Sequence, residues 1–160
     1  MKKIELTTTL TIFSGIQELP DPIFGLMEKA FEIRDQAYAP YSKFRVGAAV
    51  LLENNQIVLG NNQENACYPS GLCAERTAIY YAGANYPGVK IKAIAITAKS
   101  DQYKINKPVP PCGSCRQAIA EYELKQQTPI AIYYMGESGK VYVSQSLSNL
   151  LPFAFDKTFL

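Results

Sequence analysis

Hydrophobic and polar residues alternate over residues 4–13 (IELTTTLTIF), with Ile4, Leu6, Leu10 and Ile12 on one side. A period of two predicts a half-buried strand. Pro20 and Pro22 break the pattern. Asp21 then reads as an N-cap, with Pro22 at the first helical position. Ile23, Met27, Ala30, Phe31, Arg34 and Tyr38 follow at helical spacing, which predicts an amphipathic helix over residues 22–38. Pro40 ends it, because the residue before a proline is pushed out of the α region.

Arg45–Leu52 and Gln56–Gly60 read as strands joined through Asn54-Asn55, a hairpin turn signal. After a polar segment, Cys73–Ala82 has helical character, and Val89–Ala98, rich in Ile and Ala, reads as a buried strand. The loop Pro108-Val109-Pro110-Pro111 opens a second helix, from Cys112 to about Gln126. Ile130–Tyr134 and Lys140–Val143 are two more strands with the turn at 136–139, and a short helix is expected before Pro152. Helices alternate with strands throughout, so the pattern predicts one α/β domain with a mixed sheet and helices on its faces. No repeat, low-complexity tract or linker divides it.

Composition narrows the chemistry. The chain has 160 residues, 48% of them apolar, enough for one buried core. Its formal charge of +2 is too small for the clustered basic face of a nucleic-acid binder. No stretch approaches the roughly 18 apolar residues of a membrane span. Lys2 and Lys3 resemble the start of a signal peptide, but Glu5 and Thr7-Thr8-Thr9 stand where its apolar core should be. A cytoplasmic protein is the expectation. Histidine is absent, which removes every imidazole-dependent nucleophile pair and leaves Cys, Asp and Glu as metal ligands. The four cysteines are Cys67, Cys73, Cys112 and Cys115.

Cys112 and Cys115 form a C-x-x-C at a predicted helix start, and Cys73 opens the other helix. Thiols at i and i+3 share one face of a helical turn and can reach one ion. Helix N-termini favour the thiolate that the metal needs. Three protein ligands leave the fourth tetrahedral position for water, which is the catalytic arrangement of zinc. Glu75, two residues beyond Cys73, can stand beside that water without binding metal and move its protons. Cysteine, then x-Glu, then Pro-Cys-x-x-Cys is the general signature of zinc-dependent deaminases.

The resemblance is closer than that signature. Cys73-Ala74-Glu75-Arg76-Thr77-Ala78 and Pro111-Cys112-Gly113-Ser114-Cys115-Arg116-Gln117 are similar to the two motifs of the small cytidine deaminases. Tyr38-Ala39-Pro40-Tyr41-Ser42-Lys43-Phe44 with Arg45-Val46-Gly47-Ala48-Ala49 resembles that family's N-terminal segment. Asn62-Gln63-Glu64-Asn65-Ala66-Cys67-Tyr68 resembles its nucleoside-binding loop. The likeness runs over residues 25–155 in the family's order.

That resemblance implies a three-layer α/β/α sandwich around a mixed sheet of about five strands, with residues 1–21 as an extension of a 22–160 deaminase domain. It implies hydrolytic deamination of cytidine and deoxycytidine in pyrimidine salvage, by a zinc-activated hydroxide with Glu75 as proton shuttle. One Zn²⁺ per subunit would sit on Cys73, Cys112 and Cys115. Phe44 would stack on the pyrimidine, the Ala74 backbone would touch the base, and Asn62 and Glu64 would bind the ribose 3′-hydroxyl. Tyr68 belongs to the same loop. Arg76 and Arg116 would hydrogen-bond the thiolates and offset their charge. The family is homotetrameric, and Phe155 would be lent to a neighbouring subunit's site. The partners implied are a nucleoside and copies of the chain itself, without nucleic acid or membrane.

Other readings stand beside these. Cys67 as a fourth thiolate would close the site into a structural zinc staple; a small buried core residue is the favoured reading. Within the superfamily, an aminonucleoside antibiotic or single-stranded nucleic acid is the competing substrate. The Asn-x-Glu-Asn loop argues against the first and the low charge against the second.

Overall fold

The computed structural model describes residues 1–160. Alternating side chains decide how its sheet is covered. Along β2 (Phe44–Leu52), Ala48, Val50 and Leu52 face one way and Ala49 and Leu51 the other. Along β4 (Ile91–Ser100), Ile94 and Ile96 oppose Ala93 and Ala95 in the same manner. Strands buried on both faces need helices on both sides.

The helices supply that cover. α1 (Ile23–Arg34) packs Leu26, Met27 and Ala30 against Ala49, Ala95 and Val143. α2 (Ala74–Asn85) and α3 (Gly113–Gln126) cover the opposite face, where Ala78, Ile79 and Ile119 meet Val50, Ile94 and Ile132. With β1 (Thr11–Phe13), β3 (Ile57–Asn61), β5 (Ala131–Met135) and β6 (Val141–Ser144), the strand order is β1-β6-β5-β4-β2-β3. Only the β4–β5 pair is parallel. This is the expected three-layer sandwich, with β1 as an additional edge strand.

Topology places the site. β2 is antiparallel to both β3 and β4, so β3, β4 and β5 run in one direction. α2 connects β3 to β4 and α3 connects β4 to β5, each stepping the same way along the sheet. Right-handed crossovers then put both helices on one face. Each helix begins after the carboxyl end of a strand, where ligands gather in open α/β sheets. Gly60 lets α2 lie close against β3: a Cβ there would stand 2.5 Å from the Ala74 carbonyl oxygen and 2.6 Å from the Ala78 nitrogen.

Four expectations need correction. The N-terminal strand is limited to Thr11–Phe13, paired with Val141–Val143. β6 is only four residues long, so residues 4–10 run past its end, and Ile4, Leu6, Leu10 and Ile12 are exposed. α1 stops at Arg34 rather than near Tyr38. Arg45 Nη1 donates to the carbonyls of Asp35 and Ala37 at 3.2 and 3.1 Å, and Tyr38 leaves the helix to pair with Gln63. Asp21 is not the cap, since Pro22 holds that position with no side-chain bond. The short helix before Pro152 is a single 3-10 turn, Leu147–Asn149.

Candidate functional site

Cys73 and Cys112 are the N-cap residues of α2 and α3, and Cys115 lies in the first turn of α3. Their sulfurs lie within 4.8 Å of one another, with Cys73 Sγ and Cys112 Sγ 3.8 Å apart. Tetrahedral Zn–S bonds of about 2.3 Å set two sulfurs about 3.8 Å apart. The donor set therefore fits zinc. Cys73 is favoured as a thiolate: hydrogen bonding from Cys115 lowers its pKa, and Arg76 and Cys112 act in the same direction against burial. The Cys115 thiol is pushed up by that same bond and by burial. Cys115 is buried and Cys112 exposed, so the trio is open on the Cys112 side.

Glu75 belongs to the first turn of α2 and is 4% exposed. Burial raises its carboxyl to about 7; its backbone amide opposes that shift, and the Cys73 charge reinforces it. The neighbouring Cys115 thiol acts to lower it. A carboxyl titrating near neutrality beside a metal-ligand cluster is suited to carry protons in both directions. Ala74, the first residue of α2, is fully buried between Cys73 and Glu75.

The two arginines part company. Arg76 Nη2 stands 3.8 Å from Cys73 Sγ, and its pKa is raised first by that contact. Arg116 instead donates from Nε to the Pro111 carbonyl and from Nη1 to the Leu150 carbonyl, both at 2.9 Å. Its guanidinium ties the loop before α3 to the C-terminal segment rather than touching sulfur. Cys67 is exposed at the cap of a 3-10 turn, Tyr68–Ser70, and lies outside the sulfur group. The buried core role expected for it is wrong, because the loop turns it to solvent.

The loop residues are brought to the metal end by two bridges. Gln63 pairs with Leu72, next to Cys73, and with Tyr38. Asn62 and Glu64 therefore flank a residue anchored beside the thiols. Asn62 is buried; its Oδ1 accepts from the Val46 amide at 2.7 Å and its Nδ2 donates to the Phe44 carbonyl at 2.9 Å. Glu64 Oε2 accepts from the amides of Tyr41 and Ser42 at 3.0 and 3.2 Å, and Oε1 accepts from the Ser42 hydroxyl. Burial pushes the Glu64 carboxyl up, but these donors prevail and hold it below the ordinary value. Phe44 is half-buried at the start of β2, and Tyr68 is 90% exposed. The C-terminal segment lies along α3: Gln117 Nε2 donates to the Phe155 carbonyl at 2.7 Å. The Phe155 ring stays exposed and stacks on Phe159 with centroids 5.7 Å apart. Motif reading passed over Ser42, although it lies inside a matched segment; its role depends on which loop folds against it.

A sequence model described as "Cytidine and deoxycytidylate deaminase zinc-binding region" matches residues 24–130. The chain belongs to this family. It is 39% identical over 130 residues to the cytidine deaminase of Halalkalibacterium halodurans, covering 81% of this chain and 91% of that one. With the cytidine deaminase of Sporosarcina psychrophila it shares 41% over 133 residues, covering 82% and 90%. The crystal structure of cytidine deaminase from Burkholderia pseudomallei superposes with a TM-score of 0.71 at 38% identity, over 82% of this chain and 97% of that one. The Mycobacterium tuberculosis cytidine deaminase gives 0.66 at 28% identity, over 86% and 99%. No helix here is long and apolar enough to cross a membrane.

Proposed function

We propose that this chain hydrolyses cytidine and deoxycytidine to uridine and deoxyuridine with release of ammonia, as a homotetramer in the cytoplasm serving pyrimidine salvage. The observation that carries this reading is the three-thiol group at paired helix N-termini beside buried Glu75. Cys73, Cys112 and Cys115 hold the zinc, which when bound supplies the Lewis acidity that makes water a nucleophile near neutral pH. Glu75 takes one proton of the attacking water and passes it to N3 of the pyrimidine as C4 is attacked; it then takes the proton left on the new C4 hydroxyl and delivers it to the amine as the C4–N bond breaks. Water and cytidine in, uridine and ammonia out: the protons balance through one carboxylate.

Glu64 and Asn62 hydrogen-bond the ribose 3′-hydroxyl, and Phe44 stacks on the base held over the Ala74 backbone. A carboxylate at the ribose end disfavours a phosphate there. Arg76 offsets part of the thiolate charge. Tyr68 borders the entrance, and Phe155 completes a neighbouring subunit's site. Exposed Tyr80, Tyr81, Phe153 and Phe155 support an interface between copies. Residues 1–21 extend the 22–160 deaminase domain, in keeping with a family match that begins at residue 24.

Ammonia release from cytidine tests the proposal. The zinc-loaded chain is expected to deaminate cytidine, to lose activity with a chelator and regain it with zinc. Glu75→Gln is expected to keep zinc while activity falls about 10²- to 10⁴-fold. A zinc-loaded chain inactive on cytidine, or full activity in Glu75→Gln, contradicts it.

A further inference from the structure

We infer that Ser42 is a positioning residue of the nucleoside site: its hydroxyl links the carboxylate of Glu64 to the backbone amide of Phe44 and fixes the two contacts relative to each other. The inference rests on the reading of Glu64 and Phe44 above. Ser42 Oγ donates to Glu64 Oε1 and accepts from the Phe44 amide at 3.0 Å. A hydroxyl serves both partners because it is donor and acceptor at once, which no apolar side chain can be. The Ser42 amide adds a second bond to Glu64 at 3.2 Å.

The backbone is shaped for this. Lys43, between Ser42 and Phe44, has φ 56°. Few non-glycine residues adopt that left-handed conformation, and where they do the surroundings hold them there. Here the Lys43 amide donates to the Ala39 carbonyl at 3.2 Å, and its carbonyl accepts from the Asp101 amide at 2.9 Å. The turn folds the Ser42 hydroxyl back onto the Phe44 amide and toward Glu64. Asn62 holds the Phe44 carbonyl from the other side. The Phe44 backbone is thus gripped by two side chains, one of which grips Glu64 as well. Ser42 is exposed, so its bonds contribute modestly to folding and their loss is read mainly in substrate binding.

Two substrates separate positioning from a merely structural role: cytidine and 3′-deoxycytidine, which lacks the hydroxyl that Glu64 takes. In the unmodified holoenzyme cytidine is expected to be preferred by kcat/KM. Ser42→Ala is expected to reduce that preference about tenfold, mostly through KM for cytidine, because one charge-assisted contact is misaligned. Ser42→Thr, which keeps the hydroxyl, is expected to recover most of the loss. Ser42→Cys keeps the shape with a weaker donor, falls between, and carries the test if the alanine variant does not fold. An unchanged preference in Ser42→Ala and Ser42→Cys, whatever happens to activity overall, overturns the inference. No preference in the unmodified enzyme overturns it together with the ribose role of Glu64. A holoenzyme inactive on cytidine shows up before any variant is made, and it overturns the proposed function and the inference together.

Discussion

Single side chains in this protein do different work from what their position beside a motif suggests. Arg76 and Arg116 each follow a ligand cysteine, and the sequence offers no reason to treat them differently. The structure does: Arg76 reaches the Cys73 sulfur, whereas Arg116 bonds the carbonyls of Pro111 and Leu150. Arg76→Ala is therefore expected to weaken zinc binding about 10- to 100-fold, the usual effect of removing a partner of a metal ligand. Arg116→Ala is expected to leave zinc affinity nearly intact and to lower the thermal midpoint instead. Zinc competition against a chromophoric chelator, with melting curves beside it, checks both; equal loss of zinc affinity in the two variants contradicts the assignment. The cysteines and Glu75 were legible in the sequence because metal chemistry restricts residue type and spacing. Ser42 and the exposure of Cys67 were not. Both depend on how a loop folds, and neither residue type is restricted by that.

At the level of elements, the hydrophobic pattern located every strand of the central sheet and all three helices. Its failures lie where a tertiary partner decides the end. α1 loses its last turn because Arg45 takes the carbonyls beyond Asp35 and Tyr38 pairs with Gln63. β1 shrinks because β6 is short. The approach of α2 to β3 was equally hidden, since Gly60 carries no periodic signal of its own. A methyl there meets the backbone at Ala74 and Ala78, and backbone cannot turn aside as a side chain can. Gly60→Ala is expected to destabilise the protein by about 3 kcal/mol or more and to reduce activity by shifting the helix start that carries Cys73 and Glu75. Gly25, inside α1 with open space around its would-be Cβ, is the control. Gly25→Ala is expected to stabilise by about 0.5–1 kcal/mol. Denaturant unfolding of both variants settles the contrast, and a harmless Gly60→Ala contradicts the close packing.

For the whole molecule, the central fact is convergence. Cys73 and Cys112 stand 39 positions apart in the chain, yet their sulfurs are 3.8 Å apart. Two crossovers stepping the same way along the sheet bring this about, and strand order is not readable from periodicity. The sequence alone could propose that the three cysteines share an ion; the topology supplies the reason. Cys67 remains outside that group, exposed on its own turn. The most direct test is X-ray absorption at the zinc edge of the full-length, zinc-loaded protein in solution. Three sulfurs and one lighter atom per zinc is the result expected of an ion held by Cys73, Cys112 and Cys115 with one position left for water. Four sulfurs, bringing Cys67 onto the metal, contradicts it.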